Sequence, residues 1–134
     1  MRYFFILFLS VSLGAIELTP SPINALVYFI SPNNEESLNG KVTVKFGLKN
    51  FGVAPAGIQI QNTGHHHLII DAELPPFNMP IPADKNHIHF GKGQTEVELE
   101  LSKGEHTLQL LLGDFRHIPH DPPIYSKRIK IFID

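Results

Sequence analysis

Apolar and polar residues alternate along most of the chain after residue 25, and this two-residue period is what most constrains its fold. Side chains on a β-strand point alternately to its two faces, so the period predicts strands with one apolar face. No stretch after residue 25 keeps a helical period over ten residues. The alternation predicts seven strands, at 26–30, 42–48, 65–71, 86–90, 96–101, 107–113 and 124–133.

Short strands with turn residues between them are typical of a sandwich of two sheets. We therefore predict an all-β chain, an immunoglobulin-like antiparallel β-sandwich of about seven strands that forms one domain at 26–134. The turn at 102–105 predicts a hairpin between the strands on either side of it. The chain has no cysteine, so its core must hold it together without disulfides.

The first 25 residues predict a signal peptide and a short leader. Arg2 precedes an apolar run at 3–13 and the small residues Gly14 and Ala15, which is the order of a secretory signal. The run is shorter than the roughly 20 apolar residues of a membrane span, so none is expected after cleavage. Cleavage after Gly14, Ala15 or Ala25 fits equally well. Export without cysteine fits a bacterial periplasmic or secreted protein.

The balance of charges in the sequence argues against nucleic acid as a partner. The chain carries 11 lysines and arginines against 13 aspartates and glutamates, and no basic patch is interleaved with aromatic residues. Nucleic-acid binding needs a basic footprint, so we predict no nucleic-acid partner.

Eight histidines are the strongest indication of function. Imidazole is the commonest metal ligand in proteins. His65 and His67 share one face of a predicted strand, which we expect to be solvent-facing, and His87 and His89 share a face of another. If strands alternate in direction, the loop after 107–113 comes to the end of the sandwich where His65 and His67 lie. We predict a metal site there, with Asp114 orienting an imidazole. Its candidate ligands are His65, His67, His87, His89, His117 and His120.

The remaining two histidines have structural interpretations. His66 shares its face with Leu68 and Ile70, which predicts a buried, hydrogen-bonded core residue. His106 alternates with apolar residues near a strand end and is expected to bond a backbone carbonyl. The sequence leaves open whether either residue is also a ligand.

The predicted metal follows from the donor type. Sites built from imidazole nitrogens suit copper(II), zinc or nickel, and copper binds most tightly at equal supply. We predict copper or zinc.

Five segments resemble the motifs of a bacterial family, the domain of unknown function numbered 4399, over essentially the whole chain after the leader. The resemblance implies an exported single domain and leaves its biochemical activity open. The segments are 54–57 (APAG), 64–71 (GHHHLIID), 87–96 (HIHFGKGQTE), 104–110 (GEHTLQL) and 117–123 (HIPHDPP).

Catalysis has little support in the sequence. No serine or threonine lies in a recognisable nucleophile motif or beside a His-Asp pair of telling spacing, so we do not predict an enzyme. The segment 87–91 resembles the His-x-His strand of copper-zinc superoxide dismutases, but the disulfide of that family is impossible here and the order of the other ligands departs from it.

Three functions stay open. The first is an exported module that binds or delivers copper or zinc. The second is a non-catalytic interaction or structural domain of the envelope with structural histidines, whose partner is another envelope protein. The third is a superoxide dismutase-like metallo-oxidoreductase.

Overall fold

A computed structural model describes residues 10–134, and within them the chain forms nine β-strands and no helix that could cross a membrane. The apolar run of the predicted signal falls largely on residues 1–9, outside the described residues. The strands are β1 (Leu26–Ser31), β2 (Glu36–Leu38), β3 (Lys41–Lys49), β4 (Gly52–Val53), β5 (Thr63–Ile70), β6 (His87–His89), β7 (Glu96–Glu100), β8 (Gly104–Gly113) and β9 (Ile129–Ile133).

The strands form two sheets. The smaller has the order β1-β3-β7, and the larger has the order β2-β9-β8-β5-β4, with β6 also paired to β5. Most pairs are antiparallel; the short edge strands β2 and β4 pair in parallel with β9 and β5. This confirms the all-β, immunoglobulin-like sandwich. All seven predicted strands are present, and the two extra strands span only three and two residues, too few to show a period.

The predicted hairpin at 102–105 is wrong. β7 pairs with β3 in the smaller sheet, whereas β8 pairs with β5 and β9 in the larger one. The connection therefore crosses between sheets. Turn residues mark where a chain reverses, but they do not select the strand with which the next segment pairs.

Inward-facing side chains of both sheets form the main core. Strand β8 contributes Leu108, Leu110 and Leu112, all fully buried. They pack with apolar side chains of both sheets, which include Val27, Val42, Val44, Phe46, Leu68, Ile70, Leu99, Ile129, Ile131 and Ile133. Burying this much apolar surface is the main stabilising contribution to a disulfide-free fold.

Part of the outer face of the larger sheet, over β5 and the second half of β8, is also covered, although antiparallel sheets of sandwiches commonly leave that face to solvent. Ile69 and Leu111 face outward and pack with Ile81 in a second apolar cluster. Ile81 belongs to the long connection at 71–86, which also packs Ala72, Leu74 and Phe77 against this cluster. Strand β5 is thereby buried on both faces, and its outward-facing histidines lie next to this cluster.

Candidate metal centre

His65 and His67 project from the outer face of β5, as their spacing predicts, but they do not face solvent. Both side chains are 0% exposed. His67 lies opposite His89 of β6 on one side and Leu111 of β8 on the other, and His65 lies opposite Gly113. The expectation of solvent-facing rings is therefore wrong, because irregular segments cover this face of the sheet.

Four imidazoles converge at this place, and we call them the histidine cluster (His65, His67, His89 and His117). The Nδ1 atom of His117 lies 2.9 Å from Nε2 of His65, 3.4 Å from Nε2 of His67 and 3.1 Å from Nδ1 of His89. Nitrogens of His65, His67 and His117 all lie within 4.8 Å of one another. The cluster thus joins two residues of β5 with one of β6 and one from the loop after β8.

A single ring nitrogen cannot form hydrogen bonds with three other ring nitrogens at once. Nδ1 of His117 has either one proton to donate or one lone pair to share, yet three ring nitrogens crowd around it. A bound cation removes this conflict, because it accepts several lone pairs at once. Four nitrogens bound to zinc at 2.0–2.1 Å in a tetrahedron stand about 3.3 Å apart. The three separations from Nδ1 of His117, which run from 2.9 to 3.4 Å, bracket that value, and the nitrogens of His65, His67 and His117 form the group in which every pair lies within 4.8 Å.

Hydrogen bonding fixes the tautomer of one ring. The Nε2 atom of His89 donates to the carbonyl oxygen of Pro82 at 2.7 Å, which leaves the lone pair of a neutral ring on Nδ1, the atom that faces His117. A carbonyl on the outer ring nitrogen is the usual support of a metal-binding imidazole. His65 and His67 have no such support, since their buried Nδ1 atoms have no partner among the described residues.

The environment favours the uncharged form of three of these rings, those of His65, His67 and His117. Burial, reinforced by His117 and His89, lowers the pKa of His65 to about 4. Burial and the neighbouring imidazoles lower the pKa of His67 to about 2. Burial and His89 also lower the pKa of His117. Metal binding requires deprotonated imidazoles, so His65, His67 and His117 have the donor type, the spacing and the protonation state to hold a metal ion.

Two glycines make room for the rings. A Cβ atom on Gly113 would lie 2.5 Å from Cε1 of His67, and one on Gly64 would lie 2.8 Å from Cε1 of His120. Sequence reasoning missed both positions. Glycine inside a strand is a signal for close approach, and it was present at each of them.

Two predicted site residues lie apart from the cluster. Nδ1 of His87 is 2.7 Å from Oδ1 of Asp84. Nε2 of His120 is 3.2 Å from the carbonyl oxygen of Thr63, and its ring packs edge-on against Phe51 at a centroid distance of 5.0 Å. The structure thus brings together four of the six predicted residues.

The Asp114 carboxylate makes no hydrogen bond to an imidazole of the described residues. It is 1% exposed and accepts hydrogen bonds from Thr19, from the Arg116 side chain, and from the backbone N–H groups of Arg116 and Ile118. It therefore shapes the loop that carries His117, which is a different role from the one predicted.

His66 lies in the core, as predicted, but it is not hydrogen-bonded. The side chain is 0% exposed, its ring centroid is 5.0 Å from that of Phe46, and neither ring nitrogen has a partner among the described residues. Burial lowers its pKa to about 4. An unpartnered buried polar group costs free energy, so this position favours an apolar residue.

Substituting His66→Leu is therefore expected to raise the free energy of unfolding at pH 7 by about 1 kcal/mol. The leucine keeps roughly the volume of the ring and removes two unsatisfied nitrogens. Urea denaturation of the metal-free protein measures the change. A less stable variant would contradict the absence of a partner for this ring.

His106 has the structural role that its position predicts. Its Nε2 donates to the carbonyl oxygen of Ser102 at 2.7 Å, and its Nδ1 donates to Oδ2 of Asp71 at 2.7 Å. Although burial lowers it, the hydrogen bonds to Asp71 and Ser102 raise the pKa of His106 overall.

The same three residues are the types found in hydrolase triads, an arrangement that the sequence did not reveal. Oγ of Ser102 lies 3.4 Å from Nε2 of His106. With both ring nitrogens donating, however, His106 has no lone pair with which to accept the serine proton. The His106 ring, with a proton on each nitrogen, instead joins the Asp71 carboxylate to the 102–105 turn by hydrogen bonds.

A family model described as "Domain of unknown function (DUF4399)" matches residues 44–134, which include all eight histidines. Among solved structures, the chain is similar to one described as "Structures of Clostridium thermocellum CbhA fibronectin(III)-like modules", at 14% identity and a TM-score of 0.42, over 81% of this chain and 96% of that chain. No curated protein matches.

Proposed function

The chain belongs to the DUF4399 family of domains of unknown function, and we propose that it is an exported module that binds copper or zinc through its histidine cluster. The observation that carries the proposal is the convergence of three ring nitrogens on Nδ1 of His117. His65, His67 and His117 are the proposed ligands. His89, whose Nδ1 lies 3.1 Å from that of His117, is proposed as a fourth. The apolar run behind Arg2 supports export.

Coordination by nitrogen alone suits copper(II) and zinc. His65 and His67 are fully buried, while His117 and His89 are partly exposed, so an ion would enter from the side of the 114–123 loop. Four protein ligands close a tetrahedral zinc site and leave no position for a substrate. With His89 as the fourth ligand, the site therefore suits storage, delivery or structural use of the metal better than catalysis.

The alternative of a domain with purely structural histidines has support elsewhere in the molecule. His106 and His87 each pair with a carboxylate, as structural imidazoles do. The cluster differs, because the buried Nδ1 atoms of His65 and His67 have no hydrogen-bond partner within residues 10–134. The dismutase alternative is weaker, since its His-x-His pair is divided: His89 faces the cluster, whereas His87 faces Asp84.

Zinc or copper(II), at a free concentration of about 100 times its dissociation constant, is expected to raise the melting temperature by about 10 °C. A ligand present at 100 times its dissociation constant adds about 2.7 kcal/mol, and each kcal/mol corresponds to about 4 °C for a domain of this size. Calorimetric titration gives the stoichiometry, and a thermal melt gives the shift.

Two variants make the test specific. His67→Gln removes a central ligand and is expected to abolish the shift. The matched control is His120→Gln, which replaces a buried imidazole outside the cluster while keeping an amide for the Thr63 carbonyl, and it is expected to bind like the wild type. No shift with either metal, or equal binding by His67→Gln, contradicts the proposal.

A further inference from the structure

Residues 17–22 lie against the loop that carries His117, and we call this segment the N-terminal strap. Backbone hydrogen bonds join Ser21 N to the Asp121 carbonyl and Asp121 N to the Thr19 carbonyl, both at 3.0 Å. The Ser21 hydroxyl donates to the carbonyl oxygen of Pro122 at 2.6 Å. Residues 10–16, by contrast, are all exposed.

The strap also reaches the start of the same loop. The hydroxyl of Thr19 donates to Oδ2 of Asp114 at 2.7 Å, and Nη2 of Arg116 donates to the Glu17 carbonyl at 2.9 Å. Arg116 in turn donates to Asp114 at 2.8 Å. The strap therefore contacts the His117 loop at both of its ends. At the first of these contacts, Thr19 and Asp114 are 95 residues apart in the chain.

The carboxylate that the strap contacts controls the backbone on both sides of His117. Oδ1 of Asp114 accepts from Arg116 N at 2.8 Å and from Ile118 N at 3.1 Å. Between them, His117 has a φ of 64°, a left-handed conformation that a residue with a Cβ atom rarely adopts without support. This strained backbone directs the imidazole into the cluster.

We infer that the N-terminal strap is a retained part of the mature protein, in which Thr19 acts as a positioning residue for His117 through Asp114. This inference rests on the proposed function. It also places the end of any cleaved signal before Glu17, after Gly14 or Ala15, because cleavage after Ala25 would remove every one of these contacts.

Thr19→Val in the full-length chain tests the positioning role. Valine keeps the shape of threonine and removes the hydroxyl donor. We expect metal affinity to fall about 10- to 100-fold, the usual effect of losing a group that orients a ligand, with a shift of the visible absorption band of the copper(II) form. Thr19→Ser retains the donor and is expected to restore both affinity and spectrum.

Ser21→Ala is the matched control, since Ser21 bonds Pro122 and not the Asp114 carboxylate. Its affinity and spectrum are expected to match those of the wild type. Equal metal affinity and an unchanged spectrum in Thr19→Val overturn the inference while the wild type still binds metal. A wild type that binds no metal overturns the proposed function and this inference together.

The mass of the protein recovered after export from a bacterial host gives a readout that needs no metal. An N-terminus at or before Glu17 is expected. A mature protein that begins at Leu26 overturns the inference whatever its metal affinity.

Discussion

Replacing Gly113 with alanine is expected to weaken metal binding at least about 100-fold and to destabilise the metal-free fold by about 2 kcal/mol. The added methyl group would lie 2.5 Å from Cε1 of His67 and 3.3 Å from the Cα atom of His117. His67 is fully buried, so its ring has no open space into which to turn. The substitution displaces a central ligand without removing any donor atom. Calorimetric titration with zinc and urea denaturation measure the two effects.

Gly47→Ala is the control for this experiment. A Cβ atom there would overlap the ring of Tyr28 on the neighbouring strand of the smaller sheet. Tyr28 is only partly buried, so the ring can move outward, and the cluster lies on the other sheet. We expect altered stability with unchanged metal affinity. If Gly113→Ala binds zinc as tightly as the wild type, His67 is not a ligand.

The arrangement of histidines on β5 could be predicted because a strand has only two faces. Alternation alone places His65 and His67 on one face and His66 on the other, and the structure has them so. The expected approach of His117 also followed from strand direction. This prediction holds although the predicted hairpin is wrong, because β8 runs in the expected direction whichever strand it pairs with.

The burial of the cluster could not be predicted, because the covering segments carry no period. The connection at 71–86 is rich in proline and has no alternation, yet it supplies Ile81 and the Pro82 carbonyl. Spacing also could not separate His87 from His89. Both rings lie on one face of β6, and only the folded chain brings Asp84 to one of them and His117 to the other.

Acid is expected to destabilise the metal-free protein strongly. The free energy of unfolding should fall by on the order of 5 kcal/mol between pH 7 and pH 4. Burial lowers the pKa of His65 and His66 to about 4 and that of His67 to about 2, whereas an unfolded imidazole titrates near 6.5. Below pH 6.5 the unfolded chain therefore binds protons that the folded chain does not, and stability declines until the folded pKa values are reached. Urea denaturation with a chelator, at several values from pH 7 to pH 4, measures the slope.

Burial also lowers the pKa of His117 and of His120, so these two rings add to the same slope, whereas His106 and Asp114 act in other pH windows. The pKa of His106 is raised, so its stabilising effect is complete below pH 6.5 and is lost only as the pH rises through the folded pKa. Asp114 has a lowered pKa, despite burial, because Thr19 and Arg116 hydrogen-bond to it. The ionised Asp114 carboxylate therefore adds to the free energy of unfolding above the ordinary aspartate pKa, and this contribution is lost only at lower pH. His66→Leu removes one of the four fully buried imidazoles without touching the cluster, and we expect it to flatten the slope between pH 6 and pH 4 by about one proton. A slope that His66→Leu leaves unchanged would mean that the His66 ring is protonated in the folded state. A wild-type stability that does not vary with pH would mean that His65 and His67 are protonated in the folded state too, so that their nitrogens would have no lone pair for a metal ion.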